Sequence, residues 1–305
     1  MRRLIYVFLA TVLVSCGATP IANRSASPAA WMSSATATAT PALQLDSRQD
    51  SITGPGGMTL GQEVGAVMMV GFKGSPSADM LDDWRQHQFG GLFVGDATGT
   101  ASDVAGLHAL IDSFRGVMTH PLLAATDRPG TPVELKTAGF DIELGPVADV
   151  GPGQDPAAVA RQVTAAITQI HAAGMYAVAE HFLGNGLPAF RAAVAARVDM
   201  VMVGDASAPA PSDASRTVQG LRSDLGYSGI AISDDLQALE PSRTSDAAVR
   251  FLAAGGDMVM LARGLASADG VYDAIYTAVL SGTYRRSQLD ASVQKLLNLG
   301  LRFMP

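Results

Sequence analysis

The chain has 305 residues, 48% hydrophobic and 16% charged with few aromatics, a composition that suits one sizeable α/β domain. A net charge of -7 at pH 7, with no basic run to bind phosphates, argues against nucleic acid as a partner. The single cysteine, Cys16, has no disulfide partner and cannot build a thiolate metal site, and the five histidines lack metal-ligand spacing, so no metal is expected.

The first element is a targeting segment, residues 1–16. Arg2 and Arg3 precede an apolar stretch from Leu4 to Val14 that is too short to span a bilayer as a folded helix. The stretch ends in Leu13-Val14-Ser15-Cys16, a tetrad that resembles the bacterial lipobox, in which the cysteine is lipidated. That resemblance implies a membrane anchor at Cys16 and a place in the bacterial cell envelope, lipid-anchored to the outer face of the cytoplasmic membrane or in the periplasm. The alternative is an incidental thiol inside an ordinary signal peptide. Residues 17–57 are rich in Ser, Ala, Thr and Pro, with apolar residues too sparse for a core, and read as a disordered tether. The folded domain is expected over residues 58–305.

Past Met58, apolar runs with strand character alternate with Ala-rich amphipathic stretches such as Pro156 to Ala173 and Thr244 to Ala254. The runs cover 90–96, 121–127, 141–150, 174–182, 198–205, 229–235 and 257–264, with a further strand hidden near Val67 to Phe72. Buried strands separated by helices imply right-handed crossovers and a parallel sheet. The pattern predicts a TIM-type (β/α)8 barrel with shortened or missing elements. An open Rossmann-like sheet is the runner-up, but no G-x-G-x-x-G follows the first strand and no phosphate-binding lysine motif occurs, so no cofactor is expected. Five runs end in polar groups, at Asp96, Asp127, the His181 region, Asp205 and Asp234, and the carboxyl ends of barrel strands are where chemistry is placed.

The run Gly226 to Leu236, GYSGIAISDDL, is the most informative. Gly226 closes a helix that carries Val218, Leu221 and Leu225, Ile230 to Ile232 form a short β-prone strand, and Asp234 and Asp235 follow with no turn residue between. Aspartates are depleted in strands, and successive strand residues face opposite ways, so one of the pair faces a pocket. The plain alternative is that Asp235 caps a following helix over Leu236 to Leu239 and Asp234 is a solvated loop residue.

Taken in order, LGQEVGAVMMVGF, GGLFVG, LGPVADV, AEHFLGNG, FRAAVAARVDMVMVG, LRSDLGYSGIAISDDL, AAVRFLAAGGDMVMLA and LDASVQKLLNLGL cover most of the chain from about Leu60 to Phe303. Together they resemble the family 3 glycoside hydrolases, most closely the bacterial β-N-acetylhexosaminidase branch that trims N-acetylglucosamine from peptidoglycan fragments. The resemblance implies a carbohydrate ligand, with Asp234 in the place of the nucleophile that forms the glycosyl-enzyme of a retaining glycosidase. It implies that Asp127 binds a sugar hydroxyl, that His181 is the retained histidine of the family's sugar-binding motif, and that Asp149 matches an aspartate of either structural or substrate-binding role.

The same comparison implies losses. The branch places a His-Asp acid/base dyad on a loop directly after its K-H-F-x-G-H-G motif, whereas here Glu180 to Gly186, EHFLGNG, runs straight into Leu187-Pro188-Ala189-Phe190. The motif's lysine is Glu180, a donor turned into an acceptor of opposite charge, and its second histidine is Asn185. After Asp127 a helix and part of a binding loop are expected to be missing, with Arg128 a shifted substitute for the family's sugar-clamping arginine. The chain as written stops at Pro305, so no following domain is expected to supply an acid. Three readings stay open: a degenerate glycosidase that binds glycan or a protein partner, an active hexosaminidase whose acid comes from another rim residue such as Glu180 or Asp205, and a structural envelope protein or unrelated barrel enzyme.

Overall fold

The apolar runs become eight short parallel strands, closed into one barrel in chain order: β1 (Met68–Gly71), β2 (Gly91–Phe93), β3 (Leu123–Thr126), β4 (Ile142–Val147), β5 (Tyr176–Phe182), β6 (Met200–Val203), β7 (Ile230–Asp235) and β8 (Met258–Leu261). This is the predicted TIM-type (β/α)8 fold, including the strand hidden near Val67. The computed structural model describes residues 53–72, 74–95, 103–184, 186–204 and 214–301. Cys16 and the targeting segment, the tether through residue 52, and the strand-end residues Asp96, Asn185 and Asp205 lie outside the described residues.

Helices fill every interval: α1 (Leu60–Ala66) precedes β1, then α2 (Ala78–His87), α3 (Val104–Arg115), α4 (Pro132–Thr137), α5 (Pro156–Ala172), α6 (Leu187–Ala195), α7 (Ala214–Ser223), α8 (Pro241–Ala253), α9 (Ala268–Leu280) and α10 (Arg286–Gly300). The helix expected to be missing after Asp127 is therefore present but cut to six residues. It survives at that length because both ends of its first turn are satisfied: Thr131 and Glu134 form a reciprocal capping box, and Pro132 stands where no donor is needed. Glu143 of β4 has a buried Oε2 with no hydrogen-bond partner among the described residues, and its burial raises its pKa.

Strand register decides which side chains reach the barrel axis. Phe72 packs on Phe114 of α3 with ring centroids 5.2 Å apart, so the alternating residues Met68 and Val70 face the helices and Met69 faces inwards. Register carries that parity round the wall through Met69 with Gly91, Gly91 with Leu123, Ala125 with Ile142, Ile142 with Tyr176, Val178 with Met200, Met200 with Ile230, Ile232 with Met258, and Met260 back to Met69. Alternation is broken near the upper rim by register shifts in β5 between Ala179 and Phe182 and in β7 between Ile232 and Asp235, and there Asp127, Glu180 and Asp234 stand at or near the carboxyl ends of β3, β5 and β7.

The opposite rim is fastened by a repeated device. Ahead of β4, β6 and β8, the chain leaves a helix through a left-handed residue (Gly139 φ 95°, Arg197 φ 61°, Gly255 φ 101°), and an aspartate follows two positions later. Asp141, Asp199 and Asp257 each accept the backbone N–H of the preceding odd strand, from Ala124 at 3.1 Å, Ala177 at 3.0 Å and Ala231 at 2.9 Å. Each also holds a cationic or ionisable partner: Arg115 and Lys136 on Asp141, His171 on Asp199, and Arg222 and Lys295 on Asp257. Helix α10 runs beneath this rim, where Ser292 and Lys295 reach Asp257 and the Leu299 carbonyl accepts the Tyr176 hydroxyl at 2.7 Å.

Arg286 of α10 also pairs with Glu63 of α1, whose side chain is fully buried against Gly54. Burial pushes the Glu63 carboxyl up to about 7, more than Arg286 pulls it down. Between an unfolded value near 4.5 and the folded value the native state holds the extra proton, so this group's contribution to stability declines as pH rises through that window. Thermal melts are expected to lose stability between pH 5 and 8 more steeply for the native protein than for Glu63→Gln, by up to about 3 kcal/mol. Parallel slopes would refute the assignment.

Candidate active site

Asp234 and Asp235 take different fates because the strand persists through both. Asp235 is locked: its Oδ1 accepts the N–H groups of Gln237 and Ala262, each at 3.0 Å, and its Oδ2 accepts Arg263 Nε at 2.7 Å. It caps a single 3-10 turn, Leu236–Ala238, rather than the longer helix considered from sequence. Ser233 secures the strand from the other side, its Oγ accepting Met260 N–H at 2.9 Å and donating to the Asp234 carbonyl at 2.9 Å. Held on both flanks, Asp234 turns inwards, with Oδ1 accepting the Asp235 N–H at 2.6 Å. Gly204, at the end of β6, has φ 114°, and a β-carbon there would stand 3.6 Å from Asp234 Cβ.

Glu180 lies near the end of β5, half-buried. Its backbone carbonyl accepts the Ala148 N–H, which ties the end of β5 to the segment leaving β4. Burial is the main reason its carboxyl is pushed up to about 7; His181 opposes the shift, and the carboxylates of Asp234, Asp127 and Asp149 add to it. Those influences place the ends of β3, β4, β5 and β7 around one space. His181 Nδ1 lies 3.8 Å from Asp149 Oδ1, so this histidine and the aspartate after β4 share the rim.

Asp127 is exposed at the top of β3, next to Gly95, where a β-carbon would come within 2.9 Å of Asp127 Oδ1. The glycine thus makes space for the carboxylate. Arg128 is held over the β2 side: its N–H donates to Thr126 Oγ1 at 3.0 Å, and Nη1 reaches the Gly95 carbonyl at 3.4 Å. Thr126, which sequence reasoning passed over, anchors the turn by also donating to the Val94 carbonyl at 2.8 Å. Its only sequence signal was a hydroxyl one residue before a strand-end aspartate.

The remaining histidines are tied to other parts of the surface. His87 of α2 stands between Asp83 and Asp269 of α9, with ligand atoms of the three within 4.8 Å of one another, and it stacks on Phe89. His108, His120 and His171 bond near α3, Gln88 and Asp199. A cavity of about 740 Å³ opens under α3 and the short α4, lined by Arg115, Lys136, Asp141 and Gly300, and none of the rim carboxylates takes part.

The link from β5 to α6 decides what chemistry the rim can do. β5 ends at Phe182 and α6 begins at Leu187, so residues 183–186 are all that joins them. No histidine or aspartate lies in that link, and α6 starts directly with Leu187-Pro188. The rim therefore offers a carboxylate at Asp234, a second carboxyl at Glu180, and no His-Asp pair between β5 and α6.

The rim of the parallel barrel thus carries two carboxyl groups, Glu180 near the end of β5 and Asp234 near the end of β7. Residues 185–299 match the Glycosyl hydrolase family 3 N terminal domain. A protein named Beta-hexosaminidase from Stenotrophomonas maltophilia strain R551-3 is 31% identical over 143 residues, an alignment that covers 34% of this chain and 43% of the relative. The chain thus spans less than half the length of that relative. A second Beta-hexosaminidase, from Xanthomonas oryzae pv. oryzae, is 24% identical over 280 residues, covering 64% of this chain and 83% of the relative. Since 64% of 305 residues is far fewer than 280, the gaps fall in this chain. The solved fold of a family 3 beta-N-acetylglucosaminidase from Paenibacillus sp. str. FPU-7 superimposes with TM-score 0.72 at 24% identity, covering 80% of this chain and 62% of that one. A beta-N-acetylhexosaminidase from Beutenbergia cavernae gives TM-score 0.69 at 21% identity over 80% and 98%. Residues 185–299 are thus similar to a family 3 glycoside hydrolase domain, and the chain has β-hexosaminidase relatives.

Proposed function

We propose that this barrel binds an N-acetylglucosamine-containing glycan over Asp234 and hydrolyses it poorly, as a catalytically impaired member of its family held in the bacterial envelope by a lipid on Cys16. The observation that carries the reading is the four-residue link 183–186, in the place where the family resemblance puts the proton-transfer dyad. Asp234 keeps its inward position, and Asp127, Glu180 and His181 surround the same space, which supports a retained pocket. The replacement of a lysine by Glu180 and the turning of Arg128 toward Gly95 support a site whose sugar contacts are altered.

Calorimetry of the purified protein with N-acetylglucosamine and with peptidoglycan fragments should give saturable heat. Asp127→Ala should weaken that binding by about 3- to 10-fold, the value of one hydrogen bond. Saturable binding untouched by Asp127→Ala would remove Asp127 from the pocket. Absence of heat with every glycan would favour a structural role instead.

A further inference from the structure

Glu180 occupies a position for which the altered sugar contacts give no reason by themselves. It stands one strand removed from β7, with β6 between, so the backbones of Glu180 and Asp234 are two strand spacings apart along the wall, roughly 9.5 Å. The Asp234 charge acts on the Glu180 carboxyl, so the two side chains face one space. Carboxyls converging from that separation can meet the about 5–5.5 Å spacing on which retaining glycosidases depend. The dyad loop is absent where this same strand ends, two residues beyond Glu180, so the group stands close to what is missing.

We propose that Glu180 is the proton donor and acceptor for the hydrolysis this barrel retains, in place of the absent loop. The inference rests on the reading that the pocket takes an N-acetylglucosamine-type glycoside. In the first step an Asp234 oxygen bonds to the anomeric carbon as the glycosidic C–O bond breaks, and Glu180 gives its proton to the departing oxygen. In the second, water bonds to the anomeric carbon, Glu180 takes the water's proton, and the bond to Asp234 breaks. Substrate and water are consumed, sugar and alcohol are released, and both carboxyls return to their starting states.

The environment suits two unlike roles. Burial, and the facing carboxylates of Asp234 on β7, Asp127 after β3 and Asp149 after β4, hold the Glu180 proton to about pH 7, against the pull of His181. An acid of that kind works near neutrality beside a nucleophile of the same chemical type. Hydrolysis of a glycoside with a poor leaving group should therefore fall as pH rises through about 7, because the protonated donor is lost.

The test uses the purified protein with phenyl and dinitrophenyl N-acetyl-β-glucosaminides, whose leaving groups differ in their need for a proton. Glu180→Gln should lower phenyl glycoside turnover about 10²- to 10⁴-fold, spare release of the first dinitrophenolate, and remove the basic limb of the pH profile. Added azide should restore dinitrophenyl turnover in the variant and yield the β-glycosyl azide, a signature that a folding defect would not give. Glu180→Asp, with the acid retained on a shorter arm, should keep the basic limb at a reduced rate, and the native pH profile can be read without any variant. A native protein that binds sugar but cleaves neither glycoside would overturn the role of Glu180 and leave the binding reading standing. Equal loss on both glycosides, or a basic limb that survives Glu180→Gln, would also overturn it. No sugar binding at all would sink both.

Discussion

Asp257→Ala should lower the midpoint of thermal unfolding by about 6–12 °C, the largest stability effect expected from any single rim substitution. Asp257 is almost fully buried and accepts four donors: the Arg222 guanidinium at 2.7 Å, the Ala231 N–H at 2.9 Å, the Ser292 hydroxyl at 3.0 Å and the Lys295 ammonium at 2.9 Å. Truncation leaves a backbone donor and two cations facing a vacated site, and breaking a buried ionic network from one side costs about 3 kcal/mol or more. In a domain of this size each kcal/mol moves the midpoint by about 2–4 °C. Asp199, whose ionic partner is one histidine, should cost less when replaced. A melting shift below about 2 °C for Asp257→Ala would show that the lower rim is not fastened in this way.

The second large effect concerns turnover. An N-acetylglucosamine disaccharide has a leaving group that needs a proton, and general acid catalysis contributes about 10²–10⁴ in rate. Its hydrolysis should run slower than by a β-hexosaminidase relative by some part of that factor, because Glu180 replaces the dyad only incompletely. Positioning losses add to the deficit, because Arg128 is directed to the Gly95 carbonyl and α4 is only six residues long. Side-by-side steady-state assays check this, and rates within tenfold of the relative would show that the missing loop had been fully replaced.

Most of this architecture could be read from the chain, for a physical reason. Strands buried on both faces appear as continuous apolar runs, and helices between them as Ala-rich amphipathic stretches, so all eight strands were visible in the alternation. Two-residue periodicity implied that one of Asp234 and Asp235 would face a pocket, and it did not say which. Other features depended on contacts distant in sequence. That Asp127, Glu180 and Asp234 act on one space emerged only once the barrel had brought the ends of β3, β5 and β7 together. The clamps at Asp141, Asp199 and Asp257 lay hidden because a single Asp before an apolar run looks like a loop residue until its acceptor role across the sheet is seen. Likewise, the loss after Asp127 looked like a missing helix, since a six-residue helix with a capping box is too short to show helical periodicity.

On the proposed reading, Asp234 remains a nucleophile over a retained sugar pocket while the usual proton-transfer pair is gone. The most direct measurement is intact and peptide-level mass spectrometry after incubation with N-acetyl-β-glucosaminyl fluoride, whose leaving group departs without a proton. The account predicts that one N-acetylglucosaminyl group accumulates on the peptide that contains Asp234, because activation of water for the second step is impaired, and that Asp234→Asn abolishes the adduct. An unmodified protein that releases no fluoride, or an adduct that persists in Asp234→Asn, would contradict it.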